Sequence, residues 1–374
     1  MNLTIPRDIL SSLAEIAASV VEARPAQPIR ANVLIVVGTG RIAVRGTDDV
    51  RSIAAFANVP ATSKPGCIAV PKGDLLGAVK VMPAGDVSVT SDGKKFTLKS
   101  GKRTINVPCI DGGDFPAARA MPKNPDVLTI PAKALADILG RVAYARNEDS
   151  TTPYMHGALL DFDGKAMRAV ATNRHKLVAV AVPYESKVGA IIVPYYAVDS
   201  LIALCGKGEE VRLTIGVDCF SAAAGNVELV SAVCADAASF PPWRLVIPAD
   251  RDARAVCSRT ALADAVRAVI TTAQSFEGAR RIALDIGPRR IALSSANSDA
   301  SSADEVECGF EGKPTTLLFN GAYVAETLAA MRTDDVAIEY AIGPQFSPVI
   351  FRGVGDESAT ALVMPQVNTK GAGQ

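Results

Sequence analysis

The feature that most constrains this chain is an internal repetition with a period of about 125 residues, carried by three landmarks that recur in the same order. The first is an amphipathic helix. Over 6–24, Ile9, Leu13, Ile16 and Val20 fall at helical spacing with Leu10, Ala17 and Val21 beside them, and Pro6 suits a first turn. Similar helices open at Pro131 (Leu135, Ile138, Leu139, Val142) and at Ser258, which reads as an N-cap (Leu262, Val266, Ile270). The second landmark is an apolar strand that runs straight into another helix. Ile68-Ala69-Val70-Pro71 precedes 72–81, Ile191-Ile192-Val193-Pro194 precedes 195–205, and Leu317-Leu318-Phe319-Asn320 precedes 321–331. Positions 71, 194 and 320 are separated by 123 and 126 residues. The third is a strand that ends in a small polar turn: Gly46-Thr47-Asp48, Ala171-Thr172-Asn173 and Ser295-Ala296-Asn297.

Between the helices, apolar and polar residues alternate and turn signals intervene, as in Val87-Ser88-Val89-Thr90 before Ser91-Asp92-Gly93. Such stretches predict antiparallel strands joined by hairpins. Asp114-Phe115-Pro116 and Ser239-Phe240-Pro241, again 125 apart, each close a unit before a proline-containing linker. The expected fold class is therefore α+β: three tandem repeats, each with two helices and about eight short strands. The limits read as 1–122, 123–249 and 250–374, with a polar tail over 368–374.

Composition narrows the function classes. Apolar residues make up 49% and charged residues 21% of the 374, a globular balance. No apolar run approaches a membrane span, and the N-terminus lacks a secretory pattern, so the cytoplasm is the expected location. Seven cysteines without a C-x-x-C pair read as buried, reduced thiols. With only His156 and His175 besides, neither a metal nor a cofactor is expected. The 39 acidic and 39 basic residues cancel, yet polyanion binding follows the local distribution of Lys and Arg and not their sum.

Two enzyme readings arise. Gly38-Thr39-Gly40-Arg41-Ile42-Ala43 after an apolar run fits the dinucleotide fingerprint of an oxidoreductase, but 42–46 alternates like a strand where that fingerprint needs a helix. A hairpin turn is the preferred reading. His175 fits a general base with Asp161 or Asp163 as orienting partner, but no nucleophile motif accompanies it, and pocket lining is preferred.

Several segments carry a family resemblance. The run 28–34 followed by Gly46-Thr47-Asp48-Asp49 is similar to the first-unit signature of bacterial sliding clamps, the β subunit of DNA polymerase III. Ala171-Thr172-Asn173-Arg174-His175-Lys176-Leu177, the run 240–248, Phe319-Asn320 and Leu362-Val363-Met364-Pro365 resemble further family segments, in order and across the chain. The resemblance implies a non-enzymatic protein of three DNA-clamp domains, joined head to tail as a homodimer into a six-domain ring around double-stranded DNA. It implies that Lys and Arg on the helices attract phosphate without reading sequence, the candidates being Arg24, Lys72, Lys80, Lys133, Arg141, Arg146, Lys207 and Arg267, with Tyr154 in another contact segment. Arg7, Arg259 and Arg332 belong to the wider set. The implied partner-peptide pocket uses Met155, Thr172, Arg174, His175, Lys176, Leu177, Pro241, Val246, Leu362, Val363, Met364 and Pro365. The implied clients are the DNA polymerase III α subunit, clamp-loader subunits, and other polymerases and repair proteins. Arg174 stands where the family has glycine and Lys176 where it has arginine. Edges for ring closure are expected over 102–108 and 304–308, with Arg103 opposite Glu305 or Glu307. The alternative is a divergent paralogue or scaffold that binds partners without serving as the replication clamp.

Overall fold

The computed structural model describes residues 1–186, 188–233, 235–273, 275–276, 279–342 and 347–366. Cys234 and the expected tail at 368–374 lie outside the described residues. Six α-helices occur among those described: α1 Arg7–Ala18, α2 Lys72–Val81, α3 Ala132–Val142, α4 Tyr195–Cys205, α5 Arg259–Ile270 and α6 Gly321–Ala330. Each follows directly on a strand. Pro6 and Pro71 occupy the N-cap positions of α1 and α2, where a missing N–H costs no helical bond. Side chains cap α5 and α6: Ser258 accepts from Ala261 N and Asn320 from Ala322 N. The helix expected over 6–24 is shorter. It stops at Ala18, and Val20 and Val21 are buried beyond its end, so the apolar pattern outlasts the helix that it suggested.

The chain forms two compact units. One comprises Met1–Ala136 and Asp199–Val233. It holds a four-stranded sheet in the order Asn2–Pro6, Asp86–Ser91, Lys95–Ser100, Arg103–Pro108. Its second sheet has nine strands: Asp126–Pro131, Glu210–Ile215, Cys219–Ala224, Val227–Ala232, Arg51–Asn58, Arg41–Thr47, Asn32–Val37, Gly66–Pro71 and Ile110–Asp111. Helix α1 buries Leu10, Leu13, Ala14 and Ala17 and packs on α2 and on the hairpin Arg41–Thr47/Arg51–Asn58. Full burial of a leucine of this kind contributes roughly 1.5–3 kcal/mol. The approach is close at Gly46, where a Cβ would stand 1.9 Å from the Ala17 carbonyl oxygen.

The other unit comprises Asp137–Val198 and Cys234–Gln374. Its sheet has thirteen strands. Twelve run Ile191–Pro194, Gly157–Phe162, Ala166–Thr172, Lys176–Pro183, Ala359–Val363, Val349–Gly353, Asp335–Tyr340, Ala253–Ser258, Ser301–Gly312, Arg290–Ala296, Ala279–Gly287, Ser275–Phe276, and Thr315–Asn320 pairs with Ala279–Gly287. Sheets thus continue from one repeat into the next. Val227 of the second repeat pairs with Ala55 of the first, and Leu177 of the second with Leu362 of the third. That continuity is why the two compact units cut across the sequence repeat.

The three polar turns recur as Asx turns. Asp48 Oδ1 accepts from the N–H groups of Val50 and Arg51, Asn173 Oδ1 from His175 and Lys176, and Asn297 Oδ1 from Asp299 and Ala300. The glycine-rich run at 38–40 is a hairpin turn, with Gly40 at φ +72° and Val37 paired with Ile42. A strand therefore occupies the place where a dinucleotide fold needs a helix N-terminus. The expectation of buried thiols holds for Cys109, Cys205, Cys219 and Cys257, whereas Cys67 is exposed and Cys308 half-buried.

Candidate functional site

The Asx turn at Asn173 delivers its side chains to the mouth of a concavity of about 370 Å³ in the second unit. The Thr172 hydroxyl donates to the Lys176 carbonyl at 2.9 Å and accepts from the Arg174 N–H at 3.2 Å, which closes the turn. The next strand then runs antiparallel to Ala359–Val363, and Met364 N donates to the His175 carbonyl at 2.8 Å. Ten of the twelve residues expected for a partner pocket line this hollow: Met155, Thr172, Arg174, His175, Lys176, Leu177, Pro241, Val246, Leu362 and Met364. Tyr154 and Pro348 join them. Val363 does not, because successive side chains of a strand face opposite ways; it is fully buried behind Leu362. Pro365 is likewise outside the lining. Pro348 carried no sequence signal; it stands immediately before the strand Val349–Gly353, whose Ile350 pairs with Leu362.

The floor of the pocket is continuous with a core in which Leu177 and Leu362 meet Leu159, Val170, Phe240, Trp243 and Ile350. Apolar anchors are therefore backed by packed side chains, while Val246 of the lining remains exposed. Lys176 is not a free cation. Its ammonium pairs with Glu326 and lies 4.9 Å from the Tyr323 ring centroid and 5.2 Å from that of Tyr144. Burial pushes the Tyr144 phenol up to about 12, so it stays neutral beside that ammonium. His175 stacks on Tyr323, with ring centroids 6.0 Å apart. The carboxylates once eligible to orient it are engaged elsewhere: Asp161 pairs with Arg244 at 2.9 Å and Asp163 with Arg168. The exposed Arg174 is left as the cation at the pocket mouth, on a backbone with φ +73°.

The residues expected to face DNA divide sharply. Lys80 and Lys133 are exposed on α2 and α3, and Lys207 is exposed just past α4. Arg24 is exposed but lies beyond the end of α1, not on it. Lys72 opens α2 and donates to the Val21 carbonyl at 2.7 Å. The Arg146 guanidinium sits 4.4 Å from the Tyr195 ring centroid, and Arg267 pairs with Asp264 at 2.6 Å. Arg7 pairs with Asp8, Arg259 donates to the Thr333 carbonyl, and Arg332 pairs with Asp137. Arg141 corrects the expectation outright. It is 8% exposed, pairs with Asp356 and donates to the Ser358 hydroxyl at 3.0 Å, so it is a structural cation. Tyr154 lines the pocket.

A repeated strand–helix α+β fold, with sheets running through its repeat junctions and an apolar pocket beside one of them, defines a clamp-type protein. Family models for the N-terminal, central and C-terminal domains of the DNA polymerase III beta subunit match residues 1–119, 129–241 and 244–367. The chain belongs to that family. It is 28% identical to the beta sliding clamp of Caulobacter vibrioides and 24% identical to that of Escherichia coli, in each case over 98% of this chain and 99% of the relative. Among solved structures, Caulobacter crescentus pol III beta superposes with a TM-score of 0.89 at 26% identity, covering 98% of this chain and all of that one. A Pseudomonas aeruginosa sliding clamp bound to griselimycin superposes with a TM-score of 0.91 at 24% identity, covering 98% and 99%.

Proposed function

We propose that this chain is a non-catalytic DNA sliding clamp and processivity factor of the cytoplasm, which encircles duplex DNA as a head-to-tail dimer and tethers replication proteins through the pocket at Asn173. The observation that carries the reading is the pocket itself: an apolar hollow, open at one side, whose polar side chains come from the turn at 172–176 and from Tyr154. Such a site suits a short extended peptide bearing apolar anchors. The clients would be tails of the polymerase α subunit, of clamp-loader subunits, and of other polymerases and repair proteins.

Ring closure follows from the repeat. Thr47–Ser52, Thr172–Leu177 and Ala296–Ser301 are equivalent pairs flanking the three Asx turns. The two-residue hairpins at Gly225-Asn226 and Gly101-Lys102 make Val227 equivalent to Arg103. Since Ser52 pairs with Val230, Ser301 of one copy would pair with Asn106 of the other, which sets Arg103 opposite Asp304. Glu305 is already paired with Arg290 at 2.9 Å, so Asp304 is the better counter-ion for Arg103 than the glutamates first considered. Both strands have a free edge here, and pairing removes it. Sliding needs only sequence-blind attraction to phosphate, for which Arg24, Lys80, Lys133 and Lys207 are the best-placed exposed cations, with Lys72, Arg146 and Arg267 in support.

Light scattering and loading test this together. A dimer that stays on circular DNA and runs off linear DNA is the expected result. Arg103→Asp weakens the dimer, and adding Asp304→Arg restores it. A monomer at micromolar concentration, or equal retention on both DNA forms, would refute the ring.

A further inference from the structure

Strands Ala253–Ser258 and Ser301–Gly312 run antiparallel with Cys257 directly opposite Cys308. The Cys308 N–H donates to the Arg289 carbonyl at 2.9 Å. Its peptide groups therefore point toward the neighbouring hairpin and away from Cys257, so the cysteines form a non-hydrogen-bonded pair. Residues so paired have Cα atoms about 4.5 Å apart and side chains on one face, within the roughly 4.4–6.8 Å span of disulfides. Both thiols are free and reach a concavity of about 570 Å³ lined also by Arg289, Glu307 and Asp335. Cys308 is half-buried and Cys257 is 5% exposed. None of the other free cysteines described, Cys67, Cys109, Cys205 and Cys219, has a cysteine as its strand partner.

We propose that Cys257 and Cys308 are a cross-strand dithiol that low-molecular-weight disulfides such as oxidised glutathione convert to an internal disulfide. The Cys308 thiol, the more accessible, loses a proton and attacks one sulfur of the reagent. A mixed disulfide forms and one reduced thiol leaves. Deprotonated Cys257 then attacks the Cys308 sulfur, the Cys257–Cys308 bond forms, and the second reduced thiol departs. The protein gives up two protons and two electrons, and the reagent takes up both. Cys308 must leave its contact with the Gly287 carbonyl, 3.6 Å from Sγ, to close the bond. Burial pushes the Cys257 thiol up to about 12 and raises Cys308 too, so the conversion is slow near neutrality and quickens in mild alkali. The bond pins the strand one residue beyond its open edge at 301–307.

The test treats the full chain with oxidised glutathione in mild alkali, blocks residual thiols with N-ethylmaleimide, and maps peptides by mass spectrometry. The expected product is a peptide pair linked through Cys257 and Cys308, reversed by dithiothreitol. Cys257→Ser arrests the reaction at glutathionylated Cys308, and Cys308→Ser leaves Cys257 unmodified. Phenylarsine oxide, a probe for paired thiols, should block the link in the wild-type chain. A wild-type chain in which exposed Cys67 is glutathionylated while 257 and 308 stay unlinked would overturn the proposal. So would arrest of the wild type at the mixed disulfide. Both outcomes are read without the variants.

Discussion

Arg174 is where backbone strain and pocket chemistry meet, and it yields a graded prediction. Its φ of +73° is a left-handed conformation that costs an L-residue about 1–2 kcal/mol. Glycine relieves that cost but returns freedom to the unfolded chain, worth about 0.4–1 kcal/mol. Arg174→Gly should therefore stabilise the fold by about 0.5–1 kcal/mol. Arg174→Asn should sit close to it, because asparagine tolerates this region, whereas Arg174→Val should be the least stable of the series. Asp49, at the equivalent turn with φ +90°, provides a control that does not line the pocket. Urea unfolding of the four chains gives the ranking, provided that the slopes stay equal. Binding separates charge from strain. The exposed guanidinium at the rim should favour peptides with a carboxylate beside their apolar anchors by up to about 1 kcal/mol, or roughly fivefold. Fluorescence anisotropy should show that preference vanish equally in Arg174→Gly and Arg174→Asn, with neutral peptides unaffected. A less stable glycine variant would refute the strain account, and an unchanged peptide preference would refute the role of the charge.

Further outcomes follow from the same geometry. Asp356→Ala leaves the Arg141 guanidinium with the neutral Ser358 hydroxyl and the more distant carboxylate of Asp137, 4.0 Å away, and should cost about 2–4 kcal/mol in urea unfolding. For Asp356, burial raises the pKa, but the Ser358 hydroxyl and the Arg141 guanidinium outweigh it and hold the carboxyl below its usual range. Its stabilisation is thus fully present above the unfolded pKa near 4 and is lost as pH falls through the lower folded value. The variant should show a flatter acid limb. Val246→Asp puts a charge into the apolar mouth from a position that is 48% exposed, so peptide affinity should fall about tenfold while the unfolding midpoint holds. Arg24→Gln with Lys207→Gln should lower the slope of log K against log salt on duplex DNA by about 0.9 per lost contact, whereas Arg141→Gln should lower stability and leave that slope unchanged.

The elements of secondary structure and their threefold order were legible in the chain because their causes are local. The second helices begin at Lys72, Tyr195 and Gly321 as read, since an apolar strand followed by a cap needs no distant partner. The polar turns were legible for the same reason: an Asx side chain closes its own loop. Most residues that line the concavity were named as well, but through resemblance and not through periodicity, and their binding role is a proposal. What the residues alone did not reveal was which charges are free. In sequence Arg141 reads as a phosphate-facing cation and Lys176 as a pocket residue, and only the fold brings Asp356 and Glu326, some 215 and 150 residues away, to neutralise them. Likewise, nothing near Cys257 announces Cys308. Short-range geometry wrote the repeats, while long-range strand register decided where each charge and thiol finds its counterpart, because a Coulombic or covalent partner is chosen by distance in space and not along the chain.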